Sequence, residues 1–371
     1  MSISLLRALR SFIFFLCLFF PVVESQAQVL RDTATLRLVK ATVDQIYGMK
    51  FGEAAETTGI ISNKYPDHPV VFLLQGLIIY WKNYPLLSGS AGGKNFESLM
   101  HRCIEKCERF NEEDEAEFLL ANMCARGSLL AFYAGNDLSS KVYSLGSGSY
   151  RYLRRSFEFT GTFPDFFFFT GLYNYYREAY PEAHPAYKAL LAVFPAGDKE
   201  KGMYELRLAF KQSIFMKAES STFLSSNYKY FENDYANASY FSTMIFRVYP
   251  LNTVYLINCI EDLLLTGKYD EAEKLILSPD SKTTNEYFMS QIKILTGILY
   301  EKKYRDMIRA EQEYLDGAEK LTEFRSYGEQ YSAYAYFGLS RISALGNDRQ
   351  KERLYRRKAL DLTDFENVSF D

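Results

Sequence analysis

An all-helical array, in which similar pairs of helices stack into a solenoid, is the fold class this chain predicts, and three observations predict it. Apolar residues recur at three and four spacing nearly everywhere after residue 30, while the alternation that marks strands is almost absent. Related segments return at intervals of 34 residues. The 371 residues include 30 Tyr and 30 Phe against 10 Pro and 21 Gly, which suits a large buried core.

The first 27 residues stand apart from this pattern. Arg7 and Arg10 precede the apolar run 12–20, Pro21 stops it, and Ser25-Gln26-Ala27 closes it: a secretory signal peptide, cut before Gln28. The run is shorter than the ~20 residues a membrane span needs. Leu16 and Phe15 precede Cys17 where a lipoprotein signal has small side chains. Residues 28–371 read as one repeat domain, irregular over 84–218 and most regular over 219–310. Export sets the expected location as the periplasm or the outer-membrane periphery, and no later stretch predicts a transmembrane span.

Helices are predicted over 34–50, 53–64, 69–82, 96–110, 113–133, 149–160, 165–179, 186–194, 199–217 and 221–232, then in short-looped pairs. The turns Tyr65-Pro66-Asp67, Gly135-Asn136-Asp137, Tyr249-Pro250-Leu251-Asn252 and Gly346-Asn347-Asp348 separate them. Asn111 caps the helix that Glu112, Glu113 and Asp114 open, acids being favoured at the positive end of the dipole. Arg356, Arg357 and Lys358 complement the other end of the last helix.

Tyr235 and Ala238 recur as Tyr269 and Ala272, and a looser copy, "KKYRDMI", places Tyr304 a further 35 residues on. Near the amino terminus Phe51, Ala54 and Pro66 stand as Tyr235, Ala238 and Pro250 do. This pattern resembles the tetratricopeptide repeat family. The resemblance implies a right-handed α-α superhelix of helical hairpins, with Ala54, Ala238 and Ala272 as the small residue of each second helix. Gly76, Gly171, Gly297 and Gly338 match the first-helix glycine, and Tyr80 and Tyr300 lie near the family's tyrosine position. Ile260 in place of a glycine, Asn174 in place of a tyrosine, and an early Pro279 depart from the pattern. Residues 161–250 also resemble, less specifically, bacterial repeat proteins that carry "GLYNYY".

That sequence belongs to "FPDFFFFTGLYNYYREAYP", residues 163–181, in which nine of nineteen residues are aromatic. On a helical wheel the rings occupy nearly every side, which predicts a helix wrapped by its neighbours. Thr170, Asn174 and Arg177 form a narrow polar stripe, expected to be accessible. The resemblance instead implies Asp165, Phe168, Leu172 and Tyr175 as groove-facing positions. With Phe223, Asn227, Tyr230 and Glu261, both sets make up the candidate partner-binding groove.

Signals for catalysis are weak. "SGSAGGKN" (88–95) lacks the first glycine, the magnesium-binding hydroxyl and the preceding strand of a phosphate loop, and reads as a connection, as does "SLGSGSYRYLRR" (144–155). His68, His101 and His184 are scattered, and Cys103 and Cys107 read as buried residues on one helical face. No metal, cofactor or catalytic residue is assigned. A net charge of −3 with dispersed Lys and Arg opposes nucleic-acid binding. The expected function is a non-enzymatic exported scaffold that holds a peptide or protein partner, envelope-associated, on its concave aromatic-lined face. The alternatives are a sugar- or lipid-binding protein or enzyme with an aromatic pocket around 140–232, and a structural part of an envelope assembly.

Overall fold

The computed structural model describes residues 29–30, 32–108, 115–278, 281–368 and 370. The signal-peptide segment, the cap at Asn111 with its acids, and Pro279 lie outside the described residues. Among the described residues there is no strand, and sixteen helices pack in adjacent pairs as an α-helical solenoid.

The pairs are α1 (Thr33–Tyr47) with α2 (Phe51–Lys64), α3 (Pro69–Lys82) with α4 (Ala91–Lys106), and α5 (Glu115–Gly135) with α6 (Ser139–Ser156). In the fourth, α7 (Phe166–Ala183) reaches its partner α9 (Lys199–Gln212) across the one-turn α8 (Lys188–Leu191). Then follow α10 (Lys217–Tyr230) with α11 (Tyr235–Val248), α12 (Thr253–Leu265) with α13 (Tyr269–Ile276), α14 (Glu286–Leu299) with α15 (Met307–Leu321), and α16 (Ser326–Leu345) with α17 (Arg349–Leu360). Each second helix also packs on the first helix of the next pair.

Short polar side chains start these helices. Asp32, Ser90, Asp198, Asp234, Asn252, Asn285, Asp306 and Asp348 each accept a backbone N–H of the first turn. A small residue recurs at the fourth position of the second helix: Ala54, Gly202, Ala238, Ala272 and Ala310. The four alanines are fully buried. At Gly202 a Cβ would lie 2.6 Å from Tyr175 N and 2.8 Å from Gly171 O, so the backbones of α7 and α9 touch where both partners are glycine.

Four local expectations change. "SLGSGSYRYLRR" lies in α6, because Val142, Leu145, Tyr152 and Leu153 give that helix an apolar side against the core that outweighs its two glycines. "SGSAGGKN" opens α4: Ser90 caps it, and Gly93 fits under Leu87 O, where a Cβ would approach to 2.3 Å. The helix expected over 186–194 is only a 3-10 turn followed by α8. The third repeat copy is displaced, since a π-turn at Tyr300–Tyr304 adds chain before α15 and Ala310, not Met307, takes the small-residue position.

The solenoid curls until early pairs meet late ones. Asn252 Nδ2 donates to Tyr47 O at 3.1 Å, and the Tyr47 ring lies 5.7 Å from Tyr249. Trp81 lies 5.9 Å from Tyr255, Tyr84 stacks on Phe288 and meets Tyr327 edge-on, and Arg325 donates to Asn136 O at 3.0 Å. Rings therefore fill the inner side of the curl.

Gly202→Ala should lower stability by about 1–3 kcal/mol, because backbone atoms cannot yield to the new methyl group. Gly59→Ala, mid-helix with open space around it, should raise stability by about 0.5–1 kcal/mol. Urea denaturation of both variants checks this; a neutral Gly202→Ala would remove the close-contact argument.

Candidate functional site

Helix α7 presents its predicted groove residues to neighbouring helices. Phe168 meets Phe223 at 5.5 Å and Tyr175 meets Phe231 at 6.0 Å, both edge-on. Tyr175 donates to Glu232 at 2.6 Å, Tyr176 donates to Asn227 Oδ1 at 2.6 Å, and Leu172 is half-buried. Asp165, buried, accepts the backbone N–H groups of Ile214, Phe215 and Met216, and so ends the segment after α9 and starts α10. Burial raises its carboxyl pKa despite those three donors.

The polar stripe is not accessible as expected. Thr170 is fully buried and bonds Phe166 O at 3.2 Å; Asn174 is buried and donates to Glu205 at 2.9 Å. The reason is α9 and the segment before it, which cover this side, with Asp198 N donating to Asn174 O at 3.0 Å. Arg177 remains half-buried at the rim and donates to Phe194 O at 3.1 Å. Other rings of the 140–232 region also pack on one another, Tyr150 against Phe194 at 4.9 Å and Phe157 against Tyr173 at 5.9 Å.

Two further predicted residues lead to a different place. Tyr230 and Glu261 belong to a buried polar cluster shared by α10, α12 and α16. Lys229 Nζ lies 2.6 Å from Glu261 and 2.8 Å from Asp262. Tyr331 and Tyr334 donate to the two Glu261 oxygens at 2.7 and 2.8 Å, Ser225 donates to Asp262 at 2.7 Å, and the Tyr230 and Tyr334 hydroxyls are 3.1 Å apart. Burial, reinforced by Glu261, pushes both tyrosine hydroxyls up. Burial likewise raises Asp262 although Lys229 opposes it. Lys229, which burial alone would deprotonate, is held charged by Asp262 and Glu261.

Over this cluster run residues 361–368 and 370, after α17, here called the strap. Thr363 Oγ1 donates to Gln330 at 3.0 Å, and the Phe365 ring sits 4.6 Å from Tyr230 and 5.4 Å from Phe231. Asn367 Nδ2 donates to Tyr230 O at 3.3 Å and to Asn233 Oδ1 at 2.6 Å, while Tyr235 donates to Asn367 O at 2.8 Å. Val368 is fully buried and Phe370 packs edge-on against Tyr334 at 5.1 Å. The chain thus crosses from the eighth pair to the fifth and turns there, Val368 N donating to Phe365 O at 3.2 Å.

Lys229, Asp262, Tyr334 and the strap escaped sequence reasoning. The adjacent acids of "TVYLINCIEDLLL" were the available signal, since two carboxylates inside an apolar run need buried partners. The chain matches no family model and no curated protein. Its function is therefore argued from its own geometry.

A second acid lies between the first and fifth pairs. Glu219 is enclosed at its tip, with Oε1 accepting from Tyr47 and Oε2 buried without a hydrogen bond among the described residues. Burial pushes its pKa up to about 7, against the Tyr47 bond and with help from Asp165. The folded chain therefore holds this proton more tightly than the unfolded one. The resulting stabilisation is complete below pH 4.5 and is lost as pH rises through about 7.

Glu219→Gln should flatten this decline and raise stability at pH 8 by up to roughly 3 kcal/mol. Denaturant titrations at pH 5, 7 and 8 check it, and an unchanged pH slope would exclude Glu219 as its source. Lys229→Met should cost about 3–5 kcal/mol, because it strands two buried carboxylates; the same titration at pH 7 measures it.

Proposed function

We propose that this protein is an exported, non-enzymatic helical-repeat scaffold, akin to the tetratricopeptide family, that holds a peptide segment of a protein partner. The observation that carries this reading is the seat of the strap: helices of the fifth and eighth pairs hold a segment that turns at residues 365–368, through apolar anchors and side-chain bonds to backbone atoms. Such binding takes large contact area from rigid rings at low entropic cost, while hydrogen bonds fix register. The 34-residue recurrence and the small-residue position of the second helices support the family kinship. The amino-terminal signal supports export, with a partner in the periplasm or at the outer-membrane periphery. No described helix is long and apolar enough to cross a membrane.

Affinity isolation of the mature protein from native envelope, after cross-linking, should recover a defined protein. Its recovery should fall about tenfold when Tyr230 and Tyr235 are both replaced by Ala, and should not change with Tyr240→Ala, exposed on α11. A partner whose recovery ignores Tyr230 and Tyr235 would place binding elsewhere.

A further inference from the structure

We infer that the strap is a built-in competitor for this seat, and that the partner segment is an acidic peptide that takes the same turn, with an aromatic, a β-branched and an aromatic anchor spaced as Phe365, Val368 and Phe370 are. The inference rests on the scaffold reading and specifies its ligand. Three observations lead to it.

First, the strap is read as a peptide is read. Phe365, Val368 and Phe370 face inward, while Asp364, Glu366 and Asn367 are exposed. Tyr235 and the carbonyl of Tyr230 engage it through Asn367.

Second, the charge balance selects an acid-rich chain. The strap carries Asp361, Asp364 and Glu366 and no basic residue. Beside it α17 carries Arg349, Lys351, Arg353, Arg356, Arg357 and Lys358 against Glu352 alone, a net of +5 in a chain whose total is −3. Arg356 pairs with Glu366, and Arg349, Arg353 and Arg357 border a surface groove of about 550 Å³ floored by Leu354. Electrostatic attraction of this kind favours acidic segments and weakens with salt.

Third, the strap can leave without unmaking what lies beneath it. Both Glu261 oxygens are bonded by Tyr331, Tyr334 and Lys229, and Asp262 by Ser225 and Lys229. Among the described residues of the strap none donates to either acid, so their undocking strands no buried charge. Its own polar bonds are to exposed or rim atoms, and exposed ion pairs hold little. A docked strap lowers apparent affinity for an outside peptide by the fraction of time the groove is open.

The test uses the full mature chain, either unchanged or carrying Phe365→Ser with Phe370→Ser, and a labelled peptide of sequence DLTDFENVSF. Fluorescence anisotropy should show binding to the substituted chain at least about tenfold tighter than to the unchanged one. A control peptide with serine at the three anchor positions should not bind, and added salt should raise Kd. Equal affinity for both chains would overturn competition by the strap while leaving the scaffold reading intact. Binding to neither would overturn the proposed ligand, and the partner-recovery experiment would then judge the scaffold reading separately. Amide exchange in the unchanged chain gives a second measure: residues 365–368 should exchange faster than α10, and protection equal to that of α10 would overturn a displaceable strap.

Discussion

The near-contact of two helix backbones, seen where Gly171 meets Gly202 and where Gly297 meets Ala310, is the constraint on which the rest of this structure depends. Ala54, Ala238, Ala272 and Ala310, with Gly202, stand at the fourth position of their second helices, where a larger side chain would force the pair apart. In two pairs the first helix answers with glycine: a Cβ on Gly171 would lie 3.0 Å from Gly202 O, and one on Gly297 3.3 Å from Ala310 O. Tyr314 shows the consequence: its ring fits a slot between Gly297 and Gly338, where a Cβ on either would come within 2.8 Å, and its hydroxyl reaches Glu301 at 2.7 Å. Arg341 holds the same carboxylate from the eighth pair at 2.6 Å. One tight contact inside a pair thereby fixes how the next pair docks.

Close backbones and a curled array leave much buried surface to fill, and this chain fills it with tyrosine as often as with phenylalanine. The hydroxyl explains the choice. Tyr133 donates to Glu97, Tyr175 to Glu232, Tyr249 to Asp44, Tyr331 and Tyr334 to Glu261, and Tyr47 to Glu219. Each of these bonds joins different pairs. A tyrosine buries the area of a ring and still satisfies a carboxylate at its far end, which a phenylalanine cannot do. The polar bonds thus specify which pairs meet, while the rings supply the apolar area.

The helical array was legible because periodicity, turn residues and the Tyr235/Tyr269 recurrence are local signals. Its irregularities were not. Gly202 escaped the repeat pattern because it is glycine where the other copies carry alanine, and the π-turn at Tyr300–Tyr304 hid Ala310 by moving the small residue three positions beyond Met307, where a 35-residue spacing places it. For the candidate site the wheel identified a polar stripe on α7 correctly but misassigned what it faces: Asn174 meets Glu205 because α9 returns to that side. Tyr230 and Glu261 could be chosen from sequence, whereas Lys229 and Tyr334 could not. Their meeting depends on how three distant helices dock, and no spacing along the chain records that.

The two buried acidic centres divide the inner face into regions of different character. Glu219 lies where the curl closes, with one oxygen lacking a hydrogen bond among the described residues, so its proton state affects how firmly the first and fifth pairs join. Glu261 and Asp262 have a lysine, two tyrosines and a serine between them, the Lys229 ammonium facing Asp262 Oδ1 at 2.8 Å as an ion pair. A paired cluster of this kind stiffens the floor beneath the strap, because moving Lys229 or Tyr334 would strand charge. A groove that keeps its shape when empty loses little ordering entropy when a segment enters it, and binding energy then comes from the anchors alone. The interior polar network and the exchangeable cover are in this sense one device, the first making the second possible.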